Sequence, residues 1–143
     1  SETLIPTVGI DGNIRCANQL FMDGMEVFNF TIREVKKDIE NLLNYYQINY
    51  SDLDYYVFHQ ANMFINNFLE KKLKLSKEKI LYSLNDFGNT SAATIPLTIC
   101  LNKNEFYNKN TTILLSAFGV GLSWVNSIIE LSNDLILCDI VEV

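Results

Sequence analysis

Apolar and polar positions recur along this chain with two periods, and the change from one to the other divides it into short elements. Leu4 to Ile10 and Ile14 to Phe21 flank Asp11-Gly12, a dipeptide suited to the primed turn of a β-hairpin, so two paired strands are expected at the start. From Gly24 to Gln47 the period becomes helical: Phe28, Ile32, Val35, Ile39, Leu42, Leu43 and Tyr46 share one face, with Arg33, Glu34, Lys36, Lys37 and Glu40 on others. Such a helix covers a sheet. Ser51 to Asp54 is a polar connection into the short apolar strand Tyr55 to Phe58, and a second helix is expected from Asn62 to Leu73, with Ala61, Phe64, Ile65, Phe68 and Leu69 at core spacing. Lys79 to Leu84 reads as a short strand. A third helix is expected from Ser91 to Asn102 and contains Pro96, which has no backbone N–H to give, so a kink or an adjusted first turn should occur there. After a polar loop to Asn110, the apolar runs Thr111 to Phe118 and Leu122 to Leu131 flank the bend Gly119-Val120-Gly121 as a central antiparallel pair. Ser132 to Asp134 is a turn, and Leu135 to Val143 a last strand-like tail.

Composition narrows the classes this pattern allows. A chain of 143 residues, 48% hydrophobic, can bury one core, so a single domain spanning 1–143 is expected. No apolar run is long enough to cross a bilayer and no signal-like segment stands at the start, which points to the cytoplasm and away from membranes. The net charge of −6 argues against nonspecific nucleic-acid binding, which needs an excess of Lys and Arg. Lys71, Lys72, Lys74, Lys77 and Lys79 form a local exception. They either complement the dipole near a helix C-terminus or offer a docking patch for an anionic partner. Cys16, Cys100 and Cys138 are widely spaced and the chain has one histidine, so neither a zinc site nor a disulfide framework is expected.

Two junctions carry the candidate chemistry. His59 follows the strand Tyr55 to Phe58 and precedes a helix; open α/β folds place their chemistry at such junctions, although a lone histidine also serves as a hydrogen-bonded core residue. In the stretch from Phe87 to Pro96, Gly88 permits a tight backbone approach and Asn89 offers an amide, either as a donor or as a turn residue. Thr90 and Ser91 are both good N-caps for the apolar helix that follows.

Four ordered blocks give these junctions a context: Phe21-Met22-Asp23-Gly24-Met25-Glu26-Val27-Phe28, His59-Gln60-Ala61-Asn62, Gly88-Asn89-Thr90-Ser91-Ala92-Ala93 and Phe118-Gly119-Val120-Gly121-Leu122-Ser123-Trp124. In order and spacing the chain resembles the second half of the β-ketoacyl-acyl-carrier-protein synthase III family of the thiolase superfamily. The resemblance implies an α/β, thiolase-like half domain, a mixed β-sheet covered by α-helices. It implies acyl transfer to a cysteine, then decarboxylative condensation with malonyl-acyl-carrier protein in fatty acid biosynthesis. By the same resemblance, His59 and Asn89 are catalytic donors to the thioester oxygen during decarboxylation. The backbone N–H of Val120 belongs to an oxyanion hole, and Asn62 contacts the pantetheine arm. Where many members carry an arginine two residues after the asparagine of His-Gln-Ala-Asn, this chain has Phe64.

None of the three cysteines stands in the setting of the family nucleophile, which lies in the first half of such enzymes; the chain alone is expected to be inactive. No cofactor is implied, only thioesters of coenzyme A or acyl carrier protein as substrates. The expected partners are acyl carrier protein or a coenzyme A thioester, the N-terminal half of the same enzyme, and a second copy in a homo-oligomer. Two other readings stay open: a related condensing enzyme of specialised lipid or polyketide synthesis, and a noncatalytic module that binds a carrier protein or partner subunit.

Overall fold

A computed structural model describes residues 7–9, 12–16, 23–119 and 122–141 of the chain. Strands β1 (Thr7–Val8) and β2 (Ile14–Arg15) pair antiparallel, Thr7 opposite Arg15, and Gly12 between them adopts φ 79°. This is the described part of the expected hairpin; its turn residue Asp11 and both outer ends lie outside the described residues, as do Phe21, Met22, Val120 and Gly121.

Helix α1 (Gly24–Phe30) begins at Asp23, whose carboxylate accepts from the backbone N–H of Met25 at 3.0 Å and of Glu26 at 3.1 Å. It runs through one π-helical turn, Thr31–Val35, into α2 (Lys36–Tyr46), which stops where Gln47 turns left-handed. The wider turn carries five residues where an α-helix would carry fewer, so it rotates the buried stripe onto Phe30, Thr31, Val35, Ile39 and Leu43. Tyr46, expected on the same face as Ile39 and Leu43, is the last residue of α2 and is solvent-exposed.

Strand β3 (Tyr55–Phe58) pairs in parallel with β4 (Thr111–Gly119), which pairs antiparallel with β5 (Ser123–Leu131), giving the order β3-β4-β5. The sheet is thus mixed and covered by helices, as the family resemblance implies. Alternation along the strands feeds two cores. Tyr56, Phe58, Leu114 and Phe118 pack with Val35, Ile39, Leu43, Ile65 and Leu69 in one core, while Val57 and Ile113 pack with Leu81, Ile95 and Ile99 in the other. Asp54 ties the start of the ladder: its N–H donates to Thr112 O at 2.9 Å and its carboxylate accepts from Thr112 N at 2.8 Å.

Helix α3 (Met63–Leu73) follows β3, and a single turn α4 (Leu84–Phe87) precedes the Gly88 stretch. Phe64 does not join the core; it is 68% exposed and stacks on Phe28 with ring centroids 5.1 Å apart. The strand expected over Lys79 to Leu84 is reduced to one parallel bridge, Ile80 to Tyr56, because Lys77–Lys79 coil into a 3-10 turn. Lys79 Nζ donates to the carbonyls of Ser51 and Leu53, so this lysine fastens a connection instead of joining an open basic patch. The third helix opens with a 3-10 turn, Ser91–Ala93, and continues as α5 (Thr94–Leu101). Pro96 is its third residue, within the first turn whose N–H groups lack helical partners, and the proline is accommodated there without breaking the helix. The tail described to residue 141 forms no strand: Ile136 and Val141 are 88% and 75% exposed, without a neighbouring strand to bury them.

Candidate functional site

His59 is placed by the end of the parallel ladder. Its backbone N–H donates to Ser116 O of β4 at 2.8 Å, and its carbonyl accepts from Ala61 N at 3.0 Å, so the chain turns directly out of β3. One residue later, Asn62 caps α3, its Oδ1 accepting from Ile65 N at 2.9 Å. The His59 ring is half-buried and meets Phe118 edge to face at 5.3 Å. Its Nδ1 lies 2.7 Å from Thr94 Oγ1, the first residue of α5. Burial disfavours the imidazolium and holds the pKa below the ordinary histidine value, which favours a neutral ring at neutral pH.

Asn89 is placed by Gly88, whose φ of 64° and ψ of −154° belong to a region that side chains with a β-carbon avoid. Nothing stands within 4 Å of where a β-carbon would sit, so the glycine answers to backbone conformation and not to space. Asn89 Oδ1 accepts from Ser91 N at 2.9 Å; with its oxygen so engaged, the side-chain NH2 is left to donate elsewhere. This bond replaces the expected cap: Thr90 makes no side-chain capping bond, and Ser91 lies within the 3-10 turn at φ 55°.

The two junctions are joined through α5. Thr94 Oγ1 lies between His59 Nδ1 and Ser91 O, the latter at 3.0 Å, and Ser91 N reaches back to Asn89. Beneath them runs a buried polar chain. Gln60 donates to Phe58 O at 2.7 Å and accepts from Ser83 N at 3.4 Å; Ser83 Oγ meets Thr98 Oγ1 at 2.7 Å, and Thr98 Oγ1 donates to Thr94 O at 2.7 Å. Because the Thr98 proton is used on that carbonyl, Ser83 donates to Thr98. Asn102 Nδ2 closes the helix end on Thr98 O at 2.8 Å and Tyr82 O at 3.1 Å. Sequence reasoning passed over Thr94, Thr98 and Asn102, yet their four-residue spacing in an apolar helix is the signal of a polar stripe aimed at one structure.

Other expected residues are less engaged. Asn62 is exposed and spends its oxygen on the cap. Val120 lies outside the described residues. Cys100 stands near the C-terminal end of α5, Cys138 is exposed, and Cys16 is half-buried beside β2. Among the described residues no group of three or more His, Cys, Asp or Glu could hold a metal ion, and no helix is long and apolar enough to cross a membrane.

Comparison with known proteins accounts for this arrangement. Residues 43–131 match the family model described as 3-Oxoacyl-[acyl-carrier-protein (ACP)] synthase III C terminal. A beta-ketoacyl-[acyl-carrier-protein] synthase III of Streptococcus sanguinis is 39% identical over 115 residues, covering 78% of this chain and 36% of the relative. One of Lactococcus lactis subsp. cremoris is 37% identical over 133 residues, covering 91% and 39%. A crystal structure of a 3-oxoacyl-(acyl-carrier protein) synthase from Burkholderia xenovorans superposes with a TM-score of 0.79 at 34% identity, over 86% of this chain and 36% of that one. The chain therefore spans between a third and two fifths of the relatives it matches. With the mixed sheet, the His59 turn and the Gly88-Asn89 turn all in the matched region, the chain belongs to the 3-oxoacyl-[acyl-carrier-protein] synthase III C-terminal family, with a thiolase-like fold.

Proposed function

We propose that residues 1–143 are one domain, the C-terminal part of a condensing enzyme that joins an acyl thioester to malonyl-acyl-carrier protein in fatty acid biosynthesis. In this reading, His59 Nε2–H and the Asn89 side-chain N–H point at one thioester oxygen. As the malonyl C–C bond breaks and carbon dioxide leaves, the electron pair becomes an enolate, and the two donors hold its negative charge. The enolate carbon then attacks an acyl group carried by a cysteine, whose thiolate is released. That cysteine belongs to a part of the enzyme outside this chain, so the chain by itself is inactive. The Val120 N–H completes the oxyanion hole of acyl transfer, and Asn62 touches the pantetheine arm through its NH2. Substrates arrive as thioesters of coenzyme A or acyl carrier protein, no cofactor takes part, and the enzyme works in the cytoplasm as a homo-oligomer.

The observation that carries the reading is the continuous path from His59 Nδ1 to Thr94 Oγ1, from the Thr94 backbone N–H to Ser91 O, and from Ser91 N to Asn89 Oδ1, which ties the two turns together. The neutral state favoured for the ring leaves it one N–H to donate. The test is malonyl-thioester decarboxylation by the polypeptide that carries this chain. Each of His59→Ala and Asn89→Ala should slow it by about 10²- to 10³-fold, the cost of one oxyanion-hole donor. An undiminished rate in either variant overturns that residue's role.

A further inference from the structure

A neutral imidazole carries one N–H, and for His59 to donate from Nε2 its Nδ1 must be the bare nitrogen. The structure assigns this choice to a residue not counted among the site residues above: we propose that Thr94 is a positioning residue whose hydroxyl donates to His59 Nδ1 and so keeps the proton on Nε2.

Thr94 Oγ1 has one proton and two acceptors in reach, Nδ1 at 2.7 Å and Ser91 O at 3.0 Å. Three observations send the proton to the ring. First, hydroxyl donors cluster at separations of about 2.7–2.8 Å, so the ring contact has the usual length for this donor while the contact to Ser91 O lies at the long end of the range. Second, Ser91 O already accepts the backbone N–H of Thr94, so it is not left unpaired when the hydroxyl turns away. Third, Thr94 is 1% exposed, which leaves water little access to supply a different partner. The post itself is stiff: the Thr94 carbonyl is held by Thr98 Oγ1, Thr98 by Ser83, and the imidazole plane is set by the edge of Phe118. A ring flip would swap Nδ1 for a carbon and forfeit the bond.

The catalytic consequence rests on the donor reading of His59; the tautomer itself does not. Long-range proton–nitrogen spectra of the imidazole decide it in the polypeptide that carries this chain, with the His59 signals assigned by their loss in His59→Gln. The expected result is a protonated Nε2 and a bare Nδ1 shifted by an accepted hydrogen bond. Thr94→Val should move Nδ1 to the position of an unbonded nitrogen and Thr94→Ser should restore it. Decarboxylation should fall about 3- to 10-fold in kcat in the valine variant, with KM unchanged, and return in the serine variant. A wild-type ring protonated on Nδ1 overturns the proposal, as does an Nδ1 signal, or only an activity, that responds to valine without the other. If the valine variant does not fold, the wild-type tautomer still decides. Full decarboxylation by His59→Ala would instead sink the donor reading, with the spectra still reporting on Thr94.

Discussion

At the scale of single residues, His59 couples the site to the stability of the fold. Its neighbours on the ring, Thr94 and Phe118, are uncharged, and burial is what holds its pKa down. The unfolded chain, with a histidine pKa of about 6.5, takes up the proton first as pH falls. The stability of the neutral buried ring is therefore fully present above that value. It is lost progressively as pH drops below it, and the loss is complete once the lower folded pKa is passed. Urea unfolding of wild type and His59→Gln between pH 7.5 and 5 should show the wild type losing more stability over this window. Parallel profiles would mean that the ring is no more buried than it is in the unfolded chain. The residues around His59 were unequally legible. A lone histidine after an apolar strand and an asparagine after glycine announce themselves, because few residue types serve such turns. Gln60, Ser83 and Thr98 do not, since what joins them is contact between distant parts of the chain, Gln60 meeting Ser83 and Ser83 meeting Thr98 fifteen residues on.

At the scale of elements, α3 is where structure and function compete for one side chain. Asn62 Oδ1 caps the helix, while its NH2 is the group assigned to the pantetheine arm. Two substitutions separate the roles. Asn62→Ala removes both and should cost about 0.5–2 kcal/mol of stability, read as a lower urea midpoint. Asn62→Asp keeps an oxygen at the cap and adds favourable charge at the helix N-terminus, so stability should hold; only KM for the thioester substrate should rise, through loss of the amide donor. An unchanged KM in the aspartate variant would leave Asn62 a cap and nothing more. Elements with strong periodicity were legible throughout: α2, α3, β4 and β5 fall close to where the apolar pattern puts them. Those that failed did so for want of a partner or through backbone geometry. The stretch Lys79 to Leu84 meets β3 at one residue, and the 132–141 tail meets no strand. The π turn at Thr31–Val35 moves the buried stripe in a way no fixed period describes. In the Gly88 turn the capping group proved to be Asn89, not Thr90, because φ and ψ at Gly88 set which side chain can reach Ser91 N.

At the scale of the whole molecule, the described sheet ends on β5, and the start of that strand with the residue before it carries exposed apolar groups: Leu122 is 42%, Trp124 40% and Val125 60% exposed. The Trp124 ring rests on Phe30 at 5.1 Å, but β5 has no further strand among the described residues to pair with its outer rim. An edge of this kind, apolar and unpaired, is a template for another chain. The chain spans at most two fifths of the relatives compared, and made alone it has only a second copy of itself to cover that edge. Sedimentation velocity of the isolated chain should therefore show association that grows with concentration. Val125→Glu, opposite Ala117 and placing a charge on this edge strand, should weaken it. Trp124, the chain's single tryptophan, gives a second reading: its emission should shift to shorter wavelength as the edge is covered. A strict monomer at high concentration, with emission independent of dilution, would mean that β5 is already a protected edge, and that the partner surface of this domain lies elsewhere.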